Sequence, residues 1–470
     1  MNIMRAKIIL AMSLSIVTNL AVADISGMLL ACAKGGYAKE NRPPAYLNKQ
    51  VFGANMLFFS EQDTLRGNPS YQEKMRAGGF GSLRFPGGTV ADNYHWATGE
   101  TVHPTRRPVR HIRSDNDLSF DEFIALSKDR AAEPSIVLNY LSWAEKNQLE
   151  AGYKEAASWV NYANLEKNYG VKYWELGNEV YYFTAGKHIN VRARAYARDY
   201  KAMEKLLHGI DAKVQLGAAM PQKLHWTAQS DSEPWWDAFL DEVGGDLDYI
   251  VLHNYSPLTV DAYLAGGTGF PELLQSLRRT VKDKIGHTVP IHVTEWNIGE
   301  WDKRFIAGDS VWQGLYVAET LLDFSVNDVR LATFWPLRSK NGYGLFSNDG
   351  QQYFAGGQVF KLLAPYQGQQ VLFDCSNPTL RIARLAESQG NAGGALIMIN
   401  KGPAQQIDIA ALLGNDDSIA GLSTFVADNG KYIVKAYLTT ELKAFGANNS
   451  KPYLIPSESL VIFKLNKLNG

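Results

Sequence analysis

Hydrophobic runs and amphipathic segments alternate between about residue 50 and residue 366. Eight short apolar runs, rich in β-branched and aromatic residues and ending in Gly, Pro or polar residues, predict strands. They cover residues 51–59, 80–85, 135–140, 171–179, 214–218, 247–253, 289–296 and 329–335. Segments with a helical period follow them at 70–77, 119–129, 153–168, 191–208, 234–243, 271–284, 310–325 and 351–366. This alternation predicts an α/β fold, a (β/α)8 barrel over residues 49–366.

The pattern changes after Gly368. Short β-like runs broken by Gly, Asn and Pro follow one another, and none has a convincing helical period. They cover 371–373, 380–385, 395–399, 406–409, 423–427, 433–439 and 460–463. We therefore predict a C-terminal all-β sandwich domain over residues 367–470.

The first residues are typical of an export signal. Arg5 and Lys7 precede a mostly apolar stretch, and Ala21-Val22-Ala23 is an A-x-A cleavage site, so residues 1–23 are predicted to be a signal peptide and 24–48 a polar lead. We expect the mature protein to be exported, and so periplasmic or secreted. Residues 29–32, Leu-Leu-Ala-Cys, leave open the alternative of a membrane-anchored lipoprotein with its lipid on Cys32.

The chain has two cysteines, Cys32 and Cys375. Two cysteines make neither a disulfide framework nor a metal cluster. They can pair in an oxidising compartment or remain as two thiols, and the sequence does not decide between these. Beyond the N-terminus, no stretch is long and apolar enough for an integral membrane span.

Composition and charge exclude little. Of the 470 residues, 46% are hydrophobic and 20% charged, which is ordinary for a globular protein, and the net charge of -1 gives no indication of nucleic-acid binding. The sequence carries no interface signal that would fix the oligomeric state.

Two glutamates stand at corresponding places in two predicted strands. Gly177-Asn178-Glu179 ends the fourth strand, and Glu295 lies at the end of the seventh. Three strand–helix units of about 39 residues separate them, which is normal for such a barrel. Chemistry in these barrels sits at the carboxyl ends of the strands. A pair of carboxylates there is what a glycosidase needs, one as proton donor and one as nucleophile or base.

Further polar and aromatic side chains follow other strands. Arg84 ends the second, His253 and Tyr255 follow the sixth, Trp335 ends the eighth and Asn55 belongs to the first. We regard these residues, with Asn178, as candidate substrate-binding groups. A structural salt bridge for Arg84, a hydrogen-bonded core position for His253 and a plain core position for Trp335 remain alternatives.

These motifs resemble the clan A (β/α)8 retaining glycoside hydrolases, and most of all glycoside hydrolase family 51, the α-L-arabinofuranosidases. The resemblance covers residues from about 50 to 340 and rests on five segments. They are LRFPGG (83–88), RRPVRHI (106–112), NDLSFDEF (116–123), YGVKYWELGNE (169–179) and TEWN (294–297). The chain departs from the family at Thr89, at the VADNYHW that follows it, and at the HVTE of strand seven, which leaves the sugar open. β-Xylosidases of family 39 share similar stretches.

The resemblance implies a role for each glutamate. Glu179 would be the general acid/base and Glu295 the nucleophile, with carboxyl groups ~5–5.5 Å apart. The charge of Glu295 and a partly dry pocket would raise the pKa of Glu179 so that it can act first as an acid. This chemistry requires no metal and no cofactor.

The same resemblance suggests roles for the candidate substrate-binding residues. Asn178 would donate to the sugar 2-OH. Arg84 and Tyr255 would bond the nucleophile, and His253 would hold a carboxylate or a hydroxyl. Trp335 would form the floor of the sugar pocket, and Asn55 would contact a hydroxyl of the sugar.

The expected function is retaining hydrolysis of O-glycosidic bonds in plant or microbial polysaccharide or its oligosaccharides, foremost as an α-L-arabinofuranosidase. An endo-β-glycanase, a β-xylosidase and a uronide-acting glycosidase of the same clan are alternatives, the last because loop 89–116 carries four arginines and three histidines. A different class, a non-catalytic secreted polysaccharide-binding protein, is disfavoured by the presence of both glutamates. A metal-dependent barrel hydrolase is disfavoured because the first strand contains no histidine, and no G-x-G-x-x-G follows a strand.

Overall fold

A computed structural model gives the architecture of the chain. It describes residues 44–101, 114–182, 191–228, 231–299, 302–307, 309–386, 394–409, 412, 417–428, 431–438 and 453–467. The predicted signal peptide, Cys32 and the RRPVRHI run lie outside the described residues.

The strands are numbered in chain order. They are β1 (Ala45–Tyr46), β2 (Gly53–Asn55), β3 (Ser82–Phe85), β4 (Tyr94–His95), β5 (Glu100–Thr101), β6 (Glu133–Leu138), β7 (Tyr173–Leu176), β8 (Gln215–Met220), β9 (Tyr249–Asn254), β10 (Ile291–Trp296), β11 (Leu331–Phe334), β12 (Arg338–Ser339), β13 (Phe346–Ser347), β14 (Gln370–Ser376), β15 (Leu380–Ala386), β16 (Ala395–Asn400), β17 (Gln405–Ile407), β18 (Asp417–Asp428), β19 (Lys431–Leu438), β20 (Tyr453–Ile455) and β21 (Ser459–Lys467).

The α-helices of the described residues are α1 (Asp63–Arg66), α2 (Pro69–Ala77), α3 (Phe120–Asp129), α4 (Leu141–Glu145), α5 (Leu149–Val160), α6 (Ala193–Ile210), α7 (Trp235–Val243), α8 (Val260–Gly266), α9 (Phe270–Ile285), α10 (Lys303–Ile306), α11 (Val311–Val326) and α12 (Ala355–Leu363). Their ends follow local chemistry. α3, for example, begins at the predicted capping box, in which the Ser119 and Glu122 side chains bond each other's backbone N–H.

Eight parallel strands close into a barrel. Its order is β2-β3-β6-β7-β8-β9-β10-β11, with β11 pairing back to β2. Each strand contains part of one of the eight predicted runs, so the predicted (β/α)8 fold is confirmed. Because all the strands run parallel, their carboxyl ends meet at one mouth of the barrel.

The C-terminal domain is built on antiparallel pairing. A seven-stranded sheet runs in the order β1-β14-β15-β16-β21-β18-β19, and β17 and β20 form a separate pair. Its first strand, β1, comes from the segment before the barrel and pairs with β14. The predicted polar lead therefore contributes an edge strand to this domain.

Buried ion pairs join the two domains. Arg381 on β15 donates to Asp323 of α11 at 2.6 Å, and Lys401 donates to both carboxylate oxygens of Glu319 at 3.1 Å. Cys375 on β14 is disulfide-bonded, and the other cysteine of the sequence lies outside the described residues. In the part of the chain that the structure describes, no helix has the length and apolar character to cross a bilayer.

Candidate active site

The two glutamates predicted at strand ends face each other across the barrel mouth. A carboxylate oxygen of Glu179, just after β7, lies within 4.8 Å of one of Glu295, on β10. The Glu295 side chain is 6% exposed and that of Glu179 is 23% exposed. Retaining glycosidases hold their carboxyl groups ~5–5.5 Å apart and inverting ones ~6.5–9.5 Å apart. The spacing is therefore of the retaining kind.

A β-bulge turns Glu295 into the barrel. Val293 pairs with Leu252 of β9 and Glu295 pairs with the next residue of β9, His253, so Thr294 is an extra residue in β10 without a partner position in β9. The register against β11 shifts at the same place. In an unbroken strand Thr294 and Glu295 would face opposite sides. The bulge lets both side chains reach the site, as bulges beside active sites commonly do.

Glu179 sits in a tight turn. Its backbone φ is +46°, in the left-handed region that non-glycine residues seldom adopt, and Gly177, two residues before it, has φ +72°. The N–H of Tyr182 closes the turn by donating to the Glu179 carbonyl at 3.0 Å. Such conformations are concentrated at functional sites, where the surrounding structure holds them.

Arg84 links the residues predicted for the site. It is fully buried at the end of β3, and one terminal nitrogen donates to Glu295 Oε1 and to Asn55 Oδ1, each at 2.9 Å. The other terminal nitrogen donates to Asn178 Oδ1 at 3.0 Å. A single guanidinium therefore fixes the positions of three other candidate residues.

Glu175 is the site residue that the sequence reasoning missed. It is 0% exposed in β7 and forms an ion pair with Arg84 at 2.9 Å. It also accepts hydrogen bonds from Ser135 at 2.8 Å and from Thr294 at 3.2 Å. The available signal was its place between Tyr173 and Gly177, because alternate positions of a strand face the same side.

Tyr255 and His253 contact the carboxylates. The Tyr255 hydroxyl donates to Glu295 Oε2, so both oxygens of Glu295 accept hydrogen bonds. His253 Nδ1 lies 3.1 Å from Glu179 Oε1 and 3.6 Å from Glu295 Oε2, and its Nε2 lies 3.3 Å from the Thr294 hydroxyl. The imidazole therefore stands between the two glutamates. A cation could also lie between these three side chains, but the short contacts among them form a hydrogen-bonded network.

The pKa values of Arg84 and Tyr255 are both shifted by their surroundings. Burial acts to lower the pKa of Arg84, but the carboxylates of Glu175 and Glu295 overcome it and raise the pKa above its ordinary value. Burial, and then the charge and hydrogen bond of Glu295, raise the pKa of Tyr255 well above its ordinary value. Both shifts favour the protonated forms, in which Arg84 is a cation and the Tyr255 hydroxyl donates to Glu295.

Three predicted contacts to sugar stay predictions, although the residues lie at the site. The Asn55 amide donates to the Thr294 carbonyl at 2.8 Å while its oxygen accepts from Arg84, so Asn55 supports Arg84 here. The side-chain oxygen of Asn178 accepts from Arg84, so the predicted contact of Asn178 with the sugar would be made by its amide nitrogen. Trp335 is half-buried, and its ring packs so closely on Gly88 that a Cβ there would lie 2.4 Å from it. The second glycine of the FPGG motif makes that approach possible.

Comparisons with known proteins agree with this fold. The family model "Glycosyl hydrolase family 79, N-terminal domain" matches residues 126–284, which include Glu179 and His253. The intracellular exo-α-(1->5)-L-arabinofuranosidase 1 of Bacillus subtilis (strain 168) is 24% identical over 274 residues, which cover 51% of this chain and 52% of that protein. The chain thus spans about half the length of that relative.

Solved structures match over more of the chain. The α-L-arabinofuranosidase of Thermotoga maritima, in complex with arabinose, superposes with a TM-score of 0.67 at 18% identity, over 90% of this chain and 97% of that one. A Paenibacillus polymyxa xyloglucanase of glycoside hydrolase family 44 superposes with a TM-score of 0.64 at 14% identity, over 90% and 97%. The comparisons support the resemblance seen in the sequence motifs: the chain has a (β/α)8 barrel and is similar to glycoside hydrolases of clan A, and to those of family 51 in particular.

Proposed function

We propose that this chain is a retaining O-glycoside hydrolase with Glu179 as general acid/base and Glu295 as nucleophile. The observation that carries the proposal is the approach of the two carboxylates to within 4.8 Å at the barrel mouth. Arg84 and Tyr255 orient Glu295 by bonding one oxygen each. Glu179 is the more exposed of the two carboxyl groups, which suits a group that must meet water.

The reaction then has two displacements. Glu295 attacks the anomeric carbon and forms a glycosyl ester, while Glu179 gives its proton to the leaving oxygen. Water next attacks the ester, and Glu179 takes a proton from that water. When the ester forms, Glu295 loses its charge, so Glu179 no longer faces an anionic neighbour and stays ionised more readily, which lets it act as the base of the second step. Asn178 would hold the sugar 2-OH, whose hydrogen bond strengthens in the transition state.

For the substrate we propose an α-L-arabinofuranoside in plant or microbial polysaccharide or its oligosaccharides. The support is the likeness to the Bacillus and Thermotoga arabinofuranosidases, together with the motifs LRFPGG and YGVKYWELGNE. An endo-β-glycanase is the second candidate, since the family 44 xyloglucanase superposes almost as well.

Aryl glycosides test the mechanism and the sugar together. The purified chain is offered aryl α-L-arabinofuranoside, β-xyloside, β-glucoside and β-glucuronide, with Glu179→Ala and Glu295→Ala alongside. We expect turnover of one substrate, loss of turnover in Glu295→Ala, and rescue of Glu179→Ala by azide as a β- or α-glycosyl azide of retained configuration. Equal turnover by wild type and both variants would refute the assignment of the two glutamates. Turnover of polysaccharide alone would favour the endo-acting candidate.

Export of the chain is a separate proposal that rests on residues 1–23. Edman sequencing of the protein from its host distinguishes the outcomes. A mature N-terminus at Asp24 supports simple cleavage and leaves Cys32 able to pair with Cys375, whereas a blocked N-terminus at Cys32 with incorporated palmitate supports the lipoprotein and excludes that pairing.

A further inference from the structure

An exposed pair of aromatic rings stands beside Glu179. Tyr182, three residues after Glu179, is 38% exposed, although it is a large apolar side chain. Trp226, in the segment between β8 and α7, is half-buried, and its ring meets that of Tyr182 edge to face at 5.7 Å and 82°. Exposed clusters of large apolar side chains on soluble proteins commonly mark binding surfaces.

Buried neighbours hold these rings in place. Tyr181 packs against Tyr182 at 4.6 Å and against Trp226 at 5.9 Å. Trp235, which is 0% exposed, lies behind Trp226 with ring centroids 6.1 Å apart, and its backbone N–H donates to the Trp226 carbonyl at 2.9 Å. The rings are therefore fixed before any ligand arrives, so binding costs little side-chain entropy.

The same turn that positions Glu179 positions this cluster. The hydrogen bond from the Tyr182 N–H to the Glu179 carbonyl closes residues 179–182 into one turn. After burial, the charge of Glu179 is the next largest cause that raises the pKa of both Tyr181 and Tyr182.

The cluster also offers polar groups. Tyr181 is 3% exposed, yet among the described residues its hydroxyl has no hydrogen-bond partner. Within the same described ranges the Tyr182 hydroxyl and the Trp226 indole N–H make no hydrogen bond either. A surface that combines apolar ring faces with available donors suits a sugar ring, which has apolar C–H faces and a rim of hydroxyls.

We propose that Tyr181, Tyr182 and Trp226, here called the aromatic ledge, bind the sugar ring of the leaving group. The inference rests on the proposed function. Since Glu179 protonates the glycosidic oxygen, the group that departs with that oxygen must lie on the Glu179 side of the scissile bond. The turn that carries Glu179 also carries Tyr181 and Tyr182, so the ledge belongs to that side, and the natural leaving group is a saccharide whose ring rests on it.

Two substrates of the same sugar separate binding at the ledge from the chemistry. A glycosyl fluoride has a one-atom leaving group, needs no protonation by Glu179 and cannot touch the ledge. An oligosaccharide of that sugar must place its next ring there. The full chain with Tyr182→Ala, Trp226→Ala and both together is assayed on α-L-arabinofuranosyl and β-xylosyl fluoride and on the matching arabino- and xylo-oligosaccharides.

We expect kcat/KM on the oligosaccharide to fall about 10-fold for each ring removed, while turnover of the fluoride stays within about 2-fold of wild type. Tyr182→Phe keeps the ring and should recover most of the loss. Tyr46→Ala, which removes an equally exposed tyrosine (41%) on β1 of the other domain, is the matched control and should change neither substrate.

Other outcomes overturn the proposal. Equal losses on the fluoride and the oligosaccharide would mean that the substitutions disturb the whole site. Equal losses on the oligosaccharide and on the methyl glycoside of the same sugar, which needs protonation by Glu179 but has no second ring, would mean that the rings only position Glu179. Unchanged turnover of both substrates would mean that the leaving group does not touch the ledge. Wild-type turnover of the fluoride keeps the proposed function standing in either case, whereas wild-type protein that hydrolyses no fluoride and no oligosaccharide overturns the proposed function and the ledge with it.

Discussion

A neutral histidine inside the barrel should make the protein sensitive to acid. His292 on β10 is fully buried, stacks on the Tyr249 ring at 4.1 Å and meets the Tyr173 ring edge to face at 4.7 Å. In the described part of the chain neither ring nitrogen has a hydrogen-bond partner. Burial, followed by the charges of Arg330 and Lys172, lowers the pKa of His292 from 6.5 to about 3.

The sign of the effect follows from proton linkage. Between pH 6.5 and about 3 the unfolded chain binds a proton at His292 and the folded protein does not. Stability therefore rises with pH in this window. The contribution linked to His292 is fully present above pH 6.5 and is lost as the pH falls towards 3. At ~1.4 kcal/mol per pH unit, the loss is about 2 kcal/mol by pH 5 and at most about 5 kcal/mol by pH 3.

Replacing His292 should remove this acid sensitivity. His292→Phe keeps a ring between the two tyrosines, and His292→Leu serves in case the larger ring strains the packing. We expect the urea midpoints of wild type and variant to differ little at pH 7.5 and the variant to be the more stable by about 2 kcal/mol at pH 5. The exposed His287→Gln is the control, and its midpoint should follow wild type at both pH values. If His292→Phe and His292→Leu lost stability with acid in parallel with wild type, the buried neutral histidine would not be the cause.

Three further substitutions test the packing around the site. Glu175→Gln removes one of the two carboxylates that pair with the buried Arg84 and leaves Glu295 as its anionic partner. It should cost about 1–3 kcal/mol in urea unfolding and lower kcat, because Arg84 loses a charged hydrogen-bond partner; an unchanged midpoint would contradict this account of the pair. Gly88→Ala places a methyl group 2.4 Å from the Trp335 ring at a φ of +34°. We expect a shifted tryptophan fluorescence maximum and a raised KM, and normal values of both would show that the ring is free to move. Ser119→Ala removes the cap of α3 and should cost ~1 kcal/mol without changing kcat, which thermal unfolding and turnover measure separately.

The barrel and the pair of glutamates could be predicted because both leave a local mark on the sequence. Each barrel strand is an apolar run closed by a breaking residue, and the two glutamates lie at corresponding ends of such runs. The edge strand β1 was not predicted, because only two residues, Ala45 and Tyr46, pair with a strand that begins more than 300 positions later. Pairings at that separation are set by tertiary packing and not by local propensity.

The parts of the site that the sequence did not reveal depend on geometry between strands. The bulge at Thr294 has no sequence signature, and without it strict alternation would turn Glu295 away from the barrel. Glu175 looked like a polar residue inside an apolar run until its contact with Arg84 was seen. Tyr182 and Trp226 are 44 positions apart and become neighbours only when β7 and β8 stand side by side.

The pairing of β1 with the C-terminal sheet joins the two domains into one structural unit. The chain passes through this sheet before it enters the barrel and again after it leaves, so the barrel is clamped at both of its termini. Phe425 of β18 rests on Gly314 of α11 so tightly that a Cβ there would lie 2.3 Å from its ring. Excision at residue 366 would also strand Glu319 and Asp323 without Lys401 and Arg381. The C-terminal domain is thus packed and ion-paired against the barrel, unlike a tethered carbohydrate-binding module that can be removed or exchanged.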